Sequence, residues 1–361
     1  MISGLDVAVA KAVEGKIILV TGAAGTIGSA VVKRLLGFKP RVVRLLDHNE
    51  EEAFYWGLTA AQDARLRVLL GDIRDRERMK RAIQSVDIII HAAALKHVGL
   101  GEYNPFEVVR TNLVALQSLI ECALDANVER FIFTSSDKAV NPTNVMGGSK
   151  FIGERLVTAA SFYRGQARTI FASTRFGNVL GSAGSVVPVF RRQIAAGGPL
   201  TITDKRMTRF FMTLQEAVDL LLGALVASRG GEVFVPKMHA IRLSDLASCM
   251  LELLAPGKNI AVEEIGLRPG EKMHEELISE HELPRCVETE RLLIVLPMLD
   301  ASFAEMCAEP AAVPKPSDYP DQPRWAREVF GSQTAKTMER SAVLDLFRTI
   351  VLQSGLYPER A

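Results

Sequence analysis

The sequence has almost no net charge: 43 Lys and Arg stand against 42 Asp and Glu, leaving +1 at pH 7. That balance supplies no long-range field for nucleic acid or an anionic membrane, so neither is an expected partner, while a local phosphate pocket remains open. Cysteine is scarce. The four present, at 122, 249, 286 and 307, show no Cys-x-x-Cys spacing, which predicts packed, reduced thiols and neither a zinc site nor a disulfide framework. No apolar run is long enough to cross a bilayer, and the stretch 217–227 carries Asp219. The first fifteen residues include Asp6, Lys11 and Glu14 and have no continuous apolar core, unlike a secretory signal. Internal repeats and low-complexity segments are missing as well. The expectation is a soluble, cytoplasmic protein with no membrane span and no metal.

What is there is an ordinary globular composition, 48% apolar and 24% charged, over 361 residues. A chain of that length can bury a large core and divide into two lobes. Ile17-Ile18-Leu19-Val20 is an apolar run ending at Thr21-Gly22, the pattern of a buried parallel strand. Gly22-Ala23-Ala24-Gly25-Thr26-Ile27-Gly28 then leads into a helix with apolar residues at 27, 31, 32, 35 and 36 and Gly37 as its stop. Glycines let the backbone turn tightly and approach a pyrophosphate, and the helix start supplies free N–H groups with a partial positive charge. A second strand, 41–46, ends in Asp47, nineteen residues beyond Gly28. A carboxylate there accepts both adenine-ribose hydroxyls and repels a 2′-phosphate, which favours NAD over NADP.

The alternation continues. Strands are predicted at 67–73, 87–91, 130–135 and 169–173, with helices at about 75–84, 105–126 and from Met146 onward. Ala92, Ala93 and Ala94 follow the fourth strand, and their small side chains let a cofactor lie across the backbone. Repeated βα units specify a parallel sheet with helices on both faces. After 173 the pattern becomes irregular and richer in Gly and Pro, with a strand at 231–236 and a helix at 243–254. Arg209 and Arg268 sit on loops there and suit a phosphate or nucleoside, the plain alternative being solvated surface residues. Beyond about 285 the tail, with its prolines between 310 and 323, carries no chemical signal.

The fifth strand, Phe131-Ile132-Phe133, breaks into Ser135-Ser136-Asp137-Lys138, turns at Asn141-Pro142 and enters a helix carrying Lys150. Strand ends are where open α/β sheets bind ligands. An adjacent carboxylate and ammonium can divide the work of proton donor and acceptor, whereas taken alone the pair reads as a surface ion bridge of small consequence.

These motifs together resemble the extended short-chain dehydrogenase/reductase superfamily, and within it the UDP-N-acetylglucosamine 4,6-dehydratases of bacterial polysaccharide and glycan biosynthesis. The likeness spans roughly 14–282. It rests on Thr-Gly-x-x-Gly-x-x-Gly at 21–28, His-Ala-Ala-Ala-Leu-Lys-His-Val at 91–98, Ser-Asp-Lys-Ala-Val-Asn-Pro-Thr-Asn at 136–144, Arg-Phe-Gly-Asn-Val-Leu-Gly-Ser at 175–182, Met-Thr-Arg-Phe-Phe-Met at 207–212 and Arg-Pro-Gly-Glu-Lys at 268–272. The resemblance implies an α/β architecture: a Rossmann-type doubly wound parallel sheet over 1–177, a smaller mixed α/β substrate lobe over 178–285 with segments returning to the first domain, and a C-terminal extension over 286–361. It implies NAD held by Gly22, Gly25, Thr26, Ile27, Asp47, Asp72, Ile73, Ala92, Ala93, Ala94, Lys96, Asn112 and Lys150. Substrate contacts fall to Lys96, His97, Asn178, Val187, Arg209, Arg268 and Glu271, and catalysis to Ser136, Asp137, Lys138, Met146 and Lys150. It further suggests a homodimer or higher homo-oligomer paired through the helices at 105–126 and 147–164.

Two positions depart from the superfamily pattern. A Tyr is expected four residues before Lys150, and Met146 stands there; a thioether takes no proton, so the usual tyrosinate is excluded. A subgroup, mostly large membrane-attached enzymes, resembles this chain in having Met, and the chain looks like their catalytic portion. Ala183 replaces an Arg frequent in relatives, which bears on the substrate phosphate. The implied reaction is oxidation at sugar C4 by NAD+, removal of the C5 proton by Lys138, loss of the C6 hydroxyl with a proton from Asp137, and return of the hydride to C6. Ser136 polarises the C4 hydroxyl, whose own proton goes to Asp137 or to a water held by Lys150. Retention at C5 is expected. The competing readings are a nucleotide-sugar epimerase or reductase of the same fold, and a non-catalytic dinucleotide-binding paralogue.

Overall fold

A computed structural model describes residues 4–182, 184–298, 314–319 and 323–353. Ala183, Cys307 and part of the proline cluster lie outside the described residues. The chain forms two compact units and passes between them repeatedly: one contains Met1–Phe176, Gln215–Lys237 and Ile278–Val329, the other Gly177–Leu214, Met238–Leu277 and Phe330–Ala361.

In chain order, the first unit runs α1 (Leu5–Val13), β1 (Ile17–Thr21), α2 (Thr26–Leu36), β2 (Val42–Asp47), α3 (Glu50–Ala60), β3 (Leu66–Leu70), α4 (Arg76–Ile83), β4 (Ile88–His91), α5 (Val98–Tyr103), α6 (Pro105–Val109), α7 (Ala115–Asp125), β5 (Arg130–Ser136), α8 (Val145–Tyr163) and β6 (Ile170–Phe176). The second unit takes β7 (Asn178–Val179), α9 (Val186–Ala195), β8 (Leu200–Ile202) and β9 (Thr208–Met212). After α10 (Leu214–Ala227) and β10 (Val233–Pro236) in the first unit, the chain adds β11 (Ala240–Arg242), α11 (Leu243–Leu254) and β12 (Val262–Glu264) to the second. It returns for β13 (Cys286–Glu288), β14 (Leu292–Val295) and β15 (Arg324–Trp325), and α12 (Arg340–Gln353) closes the second unit.

The first unit is a sheet in the order β15-β13-β14-β10-β6-β5-β4-β1-β2-β3. Neighbours from β3 to β10 pair in parallel, and β14, β13 and β15 add antiparallel to the β10 side. The Rossmann-type order 3-2-1-4-5-6 follows from continuous apolar runs: helices cover both faces, so β4 is buried along its whole length. Leu19, Ile89, Phe131 and Phe171 from four strands pack with Leu116, Leu119 and Ile120 of α7 and Val157 of α8 into one core. The second unit has sheets β11-β9-β7 and β12-β8, closed over Val187, Phe190, Phe211, Leu246 and Phe347. Cys122, Cys249 and Cys286 are free and buried.

Local differences from the sequence-based expectation have local causes. The third strand stops at Leu70, because Asp72 turns its carboxylate onto Arg74, accepting at Oδ1 from the backbone N–H (2.9 Å) and at Oδ2 from the guanidinium. The helix expected over 105–126 is interrupted at Arg110–Val114 by a wider π turn, a feature that gathers at functional positions. It carries Asn112, which is buried. The tail beyond 285, which carries no chemical signal, supplies three strands.

Candidate active site

The loop between β1 and α2 is shaped by what it lacks. A Cβ on Gly28 would lie 2.2 Å from the Gly22 carbonyl oxygen, and one on Gly22, at φ +66°, would lie 2.6 Å from the Ala93 nitrogen. Backbone therefore meets backbone, and the 92–94 segment after β4 lies directly against the loop. Helix α2 opens at Gly25 with no side-chain cap, so the first-turn N–H groups, including those of Thr26 and Ile27, are not consumed by a capping side chain; this suits a pyrophosphate. At the end of β2, Asp47 accepts the Ala24 N–H at Oδ2 (2.9 Å) and the Asn49 N–H at Oδ1 (3.1 Å). Each oxygen keeps lone-pair capacity for ribose hydroxyls. The loop, uncapped helix and carboxylate fit a dinucleotide.

Beside this loop, Asn112 works as a clamp. Its Oδ1 accepts the Leu95 N–H and its Nδ2 donates to the Leu95 carbonyl and to Ser149 Oγ, all at 2.9 Å. The π turn thus ties the 92–97 loop to α8. Lys96 and His97 are exposed at the end of that loop. Asp72, anchored on Arg74, is held below the usual carboxylate range chiefly by that hydrogen bond, and Ile73 is buried.

Strand β5 ends where α8 begins, and three catalytic candidates meet at its end. Asp137 is fully buried. Its Oδ1 accepts from Ser136 Oγ (2.8 Å) and Lys138 Nζ (3.0 Å), whereas Oδ2 is buried without a hydrogen-bond partner. A buried carboxyl oxygen left open needs an explanation, and a reacting substrate is one. The Lys138 side chain retains 23% exposure, so its ammonium reaches both Asp137 and solvent. Asn144 caps α8 through the Gly147 N–H (2.7 Å). A Cβ on Gly147 would sit 2.4 Å from the Lys138 carbonyl oxygen; glycine alone lets the helix start lie this close to the Asp137-Lys138 turn.

Met146 and Lys150 project from the first two turns of α8, and both are buried. Lys150 Nζ donates to the Thr134 carbonyl at 2.8 Å and lies 4.7 Å from the centre of the Phe133 ring. Burial pushes its ammonium down to about 8, opposed by the charge of Glu154. Sequence reasoning missed the groups behind it. His91 is buried and hydrogen-bonded to Thr21 Oγ1 at 2.7 Å; burial first, and Lys150 second, push it down to about 3, so it stays neutral. Glu154, one turn beyond Lys150, is held by the Arg175 guanidinium (2.8 and 2.6 Å), which also binds Glu282 (2.9 and 2.7 Å). The spacing of Lys150 and Glu154 was the available signal.

The remaining candidates belong to the second unit. Asn178 donates to the Phe210 carbonyl (3.0 Å), and Val187 is buried in that unit's core. Arg209 is buried, donating to the carbonyls of Thr208, Lys272 and Met273. Arg268 is exposed, and its N–H donates to Glu271 Oε2 at 3.3 Å.

A mostly parallel sheet with a glycine loop after β1 and the Asp137-Lys138 pair after β5 is a Rossmann-type α/β fold. The model of a family described as polysaccharide biosynthesis protein matches residues 18–297, and the chain belongs to this family. It is 39% identical over 288 residues to an inverting UDP-N-acetylglucosamine 4,6-dehydratase of Campylobacter jejuni, covering 79% of this chain and 84% of that one. Among solved structures, Pen from Bacillus thuringiensis is similar with a TM-score of 0.83 at 36% identity, covering 93% and 98% of the two chains. DesIV, a dTDP-glucose 4,6-dehydratase of Streptomyces venezuelae solved with NAD bound, gives 0.64 at 25% identity over 71% and 86%.

Proposed function

We propose that this protein is an NAD-dependent nucleotide-sugar 4,6-dehydratase that converts UDP-N-acetylglucosamine to its 4-keto-6-deoxy product. The observation that carries the reading is Asp137: buried, fixed at Oδ1 by Ser136 and Lys138, and open at Oδ2. Bound there, NAD+ would supply a reversible two-electron oxidant for C4. Gly22, Gly25, Thr26 and Ile27 would hold its pyrophosphate, Asp47 its adenine ribose and Lys150 its nicotinamide ribose.

Met146 cannot accept the C4 hydroxyl proton, so Asp137 takes it at Oδ2 while Ser136 orients the hydroxyl. The 4-ketone acidifies C5. Lys138, having passed its ammonium proton to solvent through its exposed face, removes the C5 proton as an amine. Asp137 then gives the proton it took from the C4 hydroxyl to the leaving C6 hydroxyl, and water departs. Lys138 returns a proton to C5 on the face from which it took one, giving retention; the Campylobacter relative carries the opposite designation.

The faces of α5, α6, α7 and α8 pair two copies of the chain. Leu100, Tyr103, Phe106 and Ile152 are 66%, 87%, 80% and 46% exposed there, an apolar surface of the kind that marks an interface.

The test is mass spectrometry of UDP-N-acetylglucosamine incubated with the protein in deuterated water, followed by NMR of the product. Loss of one water with one deuterium gained at C5 is expected, in the retained configuration. Unchanged substrate, with NAD+ added, would remove the reading.

A further inference from the structure

At the opposite end of the same elements lies a cavity of about 340 Å3, lined by Ser161, Phe162, Arg164, Arg229, Gly230, Pro314 and Asp318. Arg130 opens β5, whose other end is Ser136, a span of about 20 Å for a strand of that length. Ser161 and Phe162 lie in the last turn of α8, the helix that carries Met146 and Lys150 at its start. This is the end of β5 away from Ser136, Asp137 and Lys138.

The cavity is basic in an unusual way. Arg164 donates to the Thr169 carbonyl (3.0 Å) and Arg229 to the Asp318 carbonyl (3.4 Å). Among the described residues neither forms an ion pair with a carboxylate, although a guanidinium has five donors to place. Arg130, outside the lining, is pushed down by burial and then by the charge of Arg229, opposed by Glu129 and Glu232. Asp318, which lines the cavity, accepts the Lys315 N–H, and Glu232 accepts the N–H groups of Arg229 and Gly230 and the Tyr319 hydroxyl. Ser161 is 4% exposed, and its Oγ has no hydrogen-bond partner; the space beside Gly230 brings a Cβ there within 3.7 Å of it. Arg164 caps the C-terminus of α8, where a cation is favourable in itself, but that does not account for Arg229.

We propose that this cavity binds a small organic phosphate, its phosphate on the Arg164 and Arg229 guanidinium groups and its apolar or aromatic body against Phe162 and Pro314. Planar guanidinium forks suit phosphate oxygens bidentately, and the volume sits at the small end of ligand pockets, room for one ring and one phosphate.

The experiment is calorimetric titration of phenyl phosphate, with inorganic phosphate as the second titrant, into protein saturated with NAD+ and UDP. Saturable binding of phenyl phosphate is expected, tighter than inorganic phosphate, and weakened at least tenfold in the Arg164→Gln/Arg229→Gln protein while UDP affinity is unchanged. Unsaturable heats, or equal affinity in the double variant, would overturn the proposal. A readout on the unaltered chain guards against a misfolded variant: phenylglyoxal labelling followed by peptide mass spectrometry should show Arg164 and Arg229 protected by phenyl phosphate, and labelling that phenyl phosphate leaves unchanged counts against the site. Neither readout depends on turnover.

Discussion

At the scale of the residue, the proton inventory decides most. Asp137→Asn keeps the hydrogen bonds at one oxygen and removes the acceptor at the other, so turnover should fall about 10²- to 10⁴-fold with bound NAD unchanged, as read from steady-state rates and cofactor absorbance. Met146→Leu should stay within a few-fold of the parent in the same assay, since a thioether that moves no proton is replaced by a similar volume. Lys150 has a folded-state value of about 8 against an ordinary 10.5. Between those values the unfolded chain binds more protons, so this residue's contribution to stability rises with pH across that window and its cost is complete below about pH 8. The cost is roughly 3 kcal/mol. Denaturant unfolding of Lys150→Met and the parent at pH 7.5 and 10 should therefore show the variant's advantage shrinking at the higher pH. Asp137, Lys138 and Lys150 were legible because acid, base and strand end occur together in sequence. The Thr21–His91 bond was not, since those partners are 70 residues apart.

Elements explain which parts of the sequence spoke and which stayed silent. The strands β1, β4, β5 and β6 announce themselves because they are buried on both faces and so carry apolar runs, and α11 matches its expected range residue for residue. The π turn at 110–114 is silent, because nothing in Arg110-Thr111-Asn112-Leu113-Val114 differs from an ordinary helix; only the Leu95 backbone it clamps, 17 residues away, gives it meaning. The Arg175 bridge between Glu154 and Glu282 is likewise long-range, 21 and 107 residues apart. Burial works against the Arg175 charge, and the two carboxylates overcome it, raising its value. Glu154→Ala removes one of the two carboxylates on that buried guanidinium, which should cost about 1.5–3 kcal/mol, measured as a lower urea midpoint. Gly28→Ala forces a Cβ onto backbone; weakened NAD binding by calorimetry is the expected result, and unaltered affinity would mean the loop yields more readily than its packing implies.

For the whole molecule, the proposed pairing of two copies through α5 to α8 predicts a concentration-independent dimer by sedimentation equilibrium, and Tyr103→Asp combined with Phe106→Asp should shift it to monomer. The order in which the chain is synthesised carries a separate consequence. Strand β10 pairs with β6 on one side and waits for β14 on the other, and β14 arrives more than fifty residues later. Until then Val233-Phe234-Val235 is an unprotected, apolar sheet edge of the kind that templates aggregation. Strands β14 and β13 cover that edge, so a chain cut before Cys286 should collect in the insoluble fraction on expression.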